Sequence, residues 1–190
     1  TDGEIWKKVF DALQEGQAIT IWYQKPNQDT PGPRKIFPLH VAHYHGSWYL
    51  LGYCHARSEA RVFNLSRIKR TETARETLTE EKNREKFLKS FNPNKALAES
   101  FDMYIGSESK AIKIRFAPAI APYIQERKWH QDQELIFEPD GSLLFQANVN
   151  NLVGIVPWIL SWGSNAKVLE PAELVSEIQT ELNKLIEVYR

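Results

Sequence analysis

Between Ala18 and Lys69 the chain carries four runs dense in β-branched and aromatic residues, each stopped by turn formers, with one amphipathic helix ahead of them. The runs are "AITIWYQ" at Ala18 to Gln24, then Lys35 to Tyr44, Ser47 to His55 and Ala60 to Lys69. Between them fall "KPNQDTPGP", "HG" at His45 and Gly46, and the "RSE" segment, all rich in residues that favour turns. Strands this short, joined by turns too brief to hold a crossover helix, pair antiparallel. Together they read as a small, strongly curved antiparallel barrel. The preceding helix places Ile5, Trp6, Val9, Phe10 and Leu13 on its apolar face, with Asp2 as cap and Gly16 as exit.

The pattern then changes twice. "TEEKNREKFLKSFN", Thr79 to Asn92, is helical and charged on most sides, as a helix linking two domains would be, and "NPNKALAESF" starts a second short helix near Pro93. From Lys110 the order is strand "KAIKIRF", helix "PAIAPYIQERK", strand "QELIFE", turn "PDG", strand "SLLFQANV", helix "NLVGIVPWILSW" and strand "AKVLE". That βαββαβ order is the one expected of a ferredoxin-like unit. A terminal helix follows, striped by Leu174, Ile178, Leu182, Leu185 and Tyr189. The fold class expected is therefore α+β: a small antiparallel β-barrel, a linker helix, and a ferredoxin-like βαββαβ unit with a terminal helix. The expected divisions are residues 1–79, 80–106 and 107–190.

Charge is balanced over the whole chain, 24 basic against 24 acidic residues, so net charge identifies no partner. Its distribution is uneven. From Arg34 to Arg70, Arg34, Lys35, Arg57, Arg61, Arg67, Lys69 and Arg70 face Glu59 alone, a local charge of +6, and His40, His43, His45 and His55 lie in the same stretch. The C-terminal end runs the other way, with Glu170, Glu173, Glu177, Glu181 and Glu187 against Lys184 and Arg190. The single cysteine, Cys54, rules out an intrachain disulfide and suits a reducing compartment. The longest apolar run, near Leu152 to Leu160, is too short to span a bilayer, so no membrane partner and a cytoplasmic location are expected.

The stretch "ARVFNLSRIKR" carries the candidate site. Read as one strand, it places Arg61, Phe63, Leu65 and Arg67 on a single face. Two arginines beside aromatic rings match what a single-stranded nucleic acid or a nucleotide asks for, since guanidinium forks onto phosphate and a ring stacks on a base. The same arginines can equally close a barrel end by pairing with backbone carbonyls, Glu59 or Glu72. Arg34 is placed near them by the preceding loop. Tyr49 either faces the arginines or makes a buried structural bond, and His43 adds a further donor. Trp48, Phe63 and Leu65 are expected in the core. His43, His45 and His55 lack the acid or cysteine spacing of a metal site, so no metal or cofactor is expected. Ser47, Ser66 and Ser161 have no nucleophile elbow and no glycine loop cradles phosphate, so no enzyme is expected either.

Taken in order, "ITIWYQ", "RKIFPLHV", "GSWYLLGYC" and "ARVFNLSRIKR" resemble the WYL domain of bacterial transcriptional regulators. The triplet that names the family stands at Trp48, Tyr49 and Leu50, its basic strand at Arg61, Phe63, Leu65, Arg67 and Ile68, and the arginine and proline of its second strand at Arg34 and Pro38. "ERKWHQDQ", "PDGSLLF", "LSWGSNAKVLEP" and the closing helix resemble the C-terminal extension that often follows it. The resemblance implies an Sm-like or SH3-like barrel that senses a nucleic-acid or nucleotide-like effector. It also implies a full protein that often forms a homodimer and binds promoter DNA through an N-terminal winged helix-turn-helix. The single helix before the first strand forms no such motif, so this chain is expected to hold the sensor part. The rival expectation is a protein-interaction or oligomerisation module, whose basic face meets the acidic terminal helix of a partner subunit.

Overall fold

The fold comes from a computed structural model that describes residues 3–98, 100 and 109–190. The expected Asp2 cap and the far end of the second polar helix lie outside those residues. The chain divides into two compact units, Thr1–Asn94 and Lys95–Arg190. Among the described residues there are six α-helices and two antiparallel sheets.

The first unit opens with α1 (Gly3–Glu15), whose Ile5, Val9 and Ala12 recur at helical spacing and are buried. Gly16, at φ +61°, ends it, and Gln17 N–H reaches back to Ala12 O at 2.9 Å, satisfying a terminal carbonyl. The sheet comprises β1 (Ile19–Tyr23), β2 (Gly32–Tyr44), β3 (Ser47–Cys54), β4 (Glu59–Asn64) and β5 (Ile68–Thr73). His45 and Gly46 both hold positive φ, which lets a two-residue turn join β2 to β3 without splaying them. Alternation along the strands sends Ile19, Ile21, Ile36, Leu50, Cys54 and Phe63 to the face that α1 covers.

The Sm-like or SH3-like barrel expected from the sequence is not formed. The sheet is open, in the order β4-β3-β2-β1-β5, with β4 and β5 as its two edges and no pairing between them. The local cause is Asn64. Its side chain accepts the Ser66 backbone N–H at 2.9 Å and the Ser66 hydroxyl at 2.7 Å, so Leu65–Arg67 winds into a 3-10 turn where the strand would otherwise continue. The Asn64 backbone N–H, meanwhile, donates to the Tyr23 hydroxyl at 3.2 Å, so a side chain rather than a strand ladder reaches from β1 to β4. The strand expected over Ala60 to Lys69 is thus two strands on opposite edges.

The second face of this sheet carries α2 (Leu78–Leu88), the polar helix expected as a linker. Phe87 lies 5.0 Å from the Tyr53 ring, and the Arg84 guanidinium sits 4.1 Å above Phe37. Around these contacts Arg84 Nε donates to Glu76 at 2.9 and 3.1 Å, His55 Nε2 lies 3.0 Å from Glu76 Oε1, and Lys35 Nζ donates to both Glu80 oxygens at 2.9 Å. Thr77 and Glu80 close a reciprocal capping box at the helix start. The Lys35 hydrogen bond, followed by the Thr77 backbone N–H, brings the Glu80 pKa down to about 2. A carboxyl lowered on folding stabilises the native state fully above its unfolded pKa, near 4.5, and loses that contribution as pH falls toward 2. Urea midpoints of the wild type and Glu80→Gln are therefore expected to differ at pH 6 and to converge below pH 3. A constant difference across that range would contradict the Lys35 assignment.

In the second unit, β6 (Lys110–Phe116), β7 (Glu134–Phe137), β8 (Leu143–Val149) and β9 (Ala166–Glu170) form a sheet ordered β7-β8-β6-β9, every pair antiparallel. Ile112, Ile114 and Phe116 face the core with Leu143, Phe145, Ala147 and Val149. Their neighbours Lys113 and Arg115 point out to Glu170 and Glu138. The core is closed by α4 (Ala121–Gln125), α5 (Ile155–Ser161) and α6 (Ala172–Val188), with Trp158 and Trp162 packed edge-on against Phe116 and Trp129 packed against those two rings. Only the start of the α6 stripe is buried: Leu174 is enclosed, whereas Leu182 and Leu185 are 45% and 44% exposed. The remaining helix, α3 (Pro93–Ala98), falls at the division between the units.

Candidate functional site

The 3-10 turn at Leu65–Arg67 repeats every three residues, so Leu65 and Ile68 point the same way and are buried, while Ser66 and Arg67 point out. Gln24 N–H donates to Arg67 O at 2.9 Å, tying the end of the turn to β1. The backbone of Arg67 is thus fixed on both sides, and its side chain is exposed. Among the described residues that side chain has no ion pair and no hydrogen bond. It is a cation presented to solvent on a rigid mount.

The other four expected site residues have different surroundings. Arg61 lies on β4 opposite Gly52, and its Nε donates to Glu59 Oε1 at 2.8 Å. Arg34 lies on β2 opposite Ile21, with Nη1 turned back onto Pro33 O at 2.6 Å. Its position is four residues along β2 from Pro38, which pairs with Gly52 and so marks the row of Arg61. Tyr49 is half-buried on β3 between Ala42 and Asn64, the residue that caps the turn. His43 is exposed and pairs with Trp48, its ring 4.9 Å away. Because His43 pairs with Trp48 and Tyr49 with Ala42, successive registers place His43 and Tyr49 on opposite faces of the sheet. Tyr49 pairs with Asn64, which caps the turn, and His43 lies on the face that α1 covers, where Leu65 of the turn is also buried.

Sequence reasoning missed three participants. Asn64 and Ser66 fix the turn, and the cue for them was an asparagine two residues ahead of a serine, a common side-chain cap. Trp48, expected in the core, is 42% exposed.

The His55 side chain is largely buried, against Glu76. Burial pushes its imidazole below the usual histidine range, against the pull of Glu76 and then Glu80. It sits under α2 and is structural. Among the described residues, no group of three or more His, Cys, Asp or Glu side chains is placed to hold a metal. Among the described residues no helix is long and apolar enough to cross a membrane.

Comparison with known proteins matches both units. The family described as "WYL domain" matches residues 4–73, and the family described as "WCX domain" matches residues 109–186. The chain is 29% identical over 73 residues to the DNA-binding transcriptional repressor CapW of Escherichia coli strain KTE188, covering 38% of this chain and 24% of that protein. It is 33% identical over 61 residues to the CapW repressor of Pseudomonas aeruginosa, covering 32% and 20%. Among solved structures, a CRISPR Cas-related protein matches with a TM-score of 0.59 over 98% of this chain and 50% of that one, at 13% identity, a likeness of fold. The chain thus corresponds to about a quarter or less of the curated relatives' length.

Proposed function

Because this chain contains a WYL domain and is related to bacterial transcriptional regulators, we propose that it is the non-catalytic, ligand-sensing module of such a regulator. Its effector is a short single-stranded nucleic acid or a nucleotide-like molecule, and a phosphate of that effector sits on Arg67. The observation that carries this reading is the exposed, unpaired Arg67 guanidinium held on a turn tied down at both ends. A guanidinium whose mount is already ordered loses little further entropy on gripping phosphate. Arg61 joins by exchanging Glu59 for a phosphate oxygen, Tyr49 lies beside Asn64, Arg34 adds positive potential from β2, and His43 adds a hydrogen-bond donor.

The name of the CapW repressors states DNA binding and transcriptional repression for them, and in this reading the full-length protein likewise binds promoter DNA through a separate domain and works in the cytoplasm. Effector binding biases that domain to the extent that it favours one of two arrangements of the protein.

The test is fluorescence anisotropy of a labelled eight-nucleotide single strand titrated with this chain at two salt concentrations. Micromolar or tighter binding that weakens with salt is expected. Absence of binding at both salts contradicts a single-stranded effector, and the same titration with a labelled mononucleotide then tests the nucleotide-like one.

A second reading rests on unit two. The groove between α5 and α6, about 530 Å³, is lined by Val153, Val156, Pro157 and Leu160 and edged by Glu177 and Glu181. A basic face of a second copy would suit that edge, making the chain an oligomerisation module. Salt-sensitive self-association without oligonucleotide binding would favour it.

A further inference from the structure

Four rings on the α1 side of the first sheet are incompletely covered. Trp48 is 42% and Phe10 44% exposed, His43 is exposed, and Trp6 is half-buried. The Trp6 ring meets Trp48 edge-on at 5.1 Å and Phe10 edge-on at 6.3 Å, and His43 lies against the other side of the group, 4.9 Å from Trp48. Edge-to-face support of this kind fixes the indole of Trp48 while leaving part of its surface open. An indole held by its neighbours and still wet is a contact surface.

The register places this surface beside the turn. Tyr49 and Asn64 are the last residues paired between β3 and β4; Trp48 precedes Tyr49 on β3, and Leu65, which follows Asn64, opens the turn ending at Arg67. β3 and the turn pack together. An aromatic platform on the strand that packs against the turn, together with the unpaired guanidinium that the turn carries, is complementary to a flat ring joined to a phosphate.

We infer that Trp48, braced by Trp6, is a base-stacking subsite of the effector site, taking one unpaired base while Arg67 takes an adjoining phosphate. This rests on the reading of Arg67 above and deepens it, since it requires that the effector contain a base. Stacking is tolerant of base identity because every base has a π face, so the subsite favours single strands over duplex without selecting a sequence.

The test compares octathymidylate with an abasic strand of the same length, which keeps the phosphates and removes the rings. Both are titrated by anisotropy into the full chain as wild type, Trp48→Leu and Arg67→Ala, each checked for fold by circular dichroism. The wild type is expected to prefer octathymidylate by about 5- to 150-fold, the range for stacking one base. Trp48→Leu is expected to lose that preference while its affinity for the abasic strand stays unchanged. Equal affinity of the wild type for the two strands overturns the subsite, with or without a folded variant. If Arg67→Ala still weakens both strands in that case, the phosphate reading stands. A preference that survives in Trp48→Leu also overturns the subsite. Binding of neither strand by the wild type overturns the subsite and the phosphate reading together.

Discussion

Arg67→Ala is expected to weaken binding of the eight-nucleotide strand by roughly ten- to a hundredfold, the effect of losing a charge-assisted hydrogen bond to phosphate. The fold gives this substitution no other route to a large effect. The side chain is exposed and without partners, so truncating it is expected to leave stability within about 0.5 kcal/mol of wild type. Arg67→Lys keeps the charge and loses the two-pronged geometry, so its affinity is expected to fall between the two. Arg61→Ala is expected to cost less, because Glu59 already neutralises that guanidinium and must be displaced before phosphate can take its place. Anisotropy titrations of the four proteins at one salt concentration check the order. An Arg61→Ala loss larger than that of Arg67→Ala would relocate the site to β4.

The second large effect concerns stability. Glu76→Ala is expected to destabilise the first unit by about 3 kcal/mol, because it leaves a mostly buried cation without its carboxylate. Arg84, 14% exposed, donates to Glu76, and the buried His55 lies on its other side. Burial already holds His55 toward its neutral form, so the charge chiefly stranded is Arg84. Glu76→Gln keeps a hydrogen-bond acceptor and is expected to lose less. Replacing both partners, as Glu76→Leu with Arg84→Met, is expected to recover most of the loss, since an apolar pair of similar size carries no desolvation penalty. Urea unfolding gives the energies, and amide exchange in α2 localises them. A Glu76→Ala protein as stable as wild type would show that the Arg84–Glu76 pair contributes nothing to the seat of α2.

Features set by local chemistry were legible in the sequence. The His45 and Gly46 turn, the Gly16 exit of α1 and the alternation of β6 each follow from neighbouring residues, and each stands where the residues place it. What escaped depends on partners distant in sequence. Whether a curved five-stranded sheet closes is decided by its two edges, and here Asn64 diverts the chain before β4 and β5 can pair. The period-two pattern of "ARVFNLSRIKR" runs straight through that diversion, which is why Arg61 and Arg67 seemed to share a face. Trp48 looked like core because large rings in small sheets usually are, yet its cover comes from Trp6, and one helix leaves much of it open. The seat of α2 was unreadable for another reason. Its anchors are ion pairs and one phenylalanine, and they leave no apolar stripe in the sequence. Of the candidate site, the residue types were legible and their grouping was not.

The central claim is that a phosphate sits on Arg67, and the salt dependence of binding tests it most directly. The logarithm of the affinity for the single strand, plotted against the logarithm of salt concentration, has a slope that counts the phosphates neutralised, about 0.7 for each on a single strand. The account predicts that Arg67→Ala lowers the magnitude of the wild-type slope by about that amount. An unchanged slope, whatever the affinity, would mean that Arg67 meets no phosphate and would contradict it.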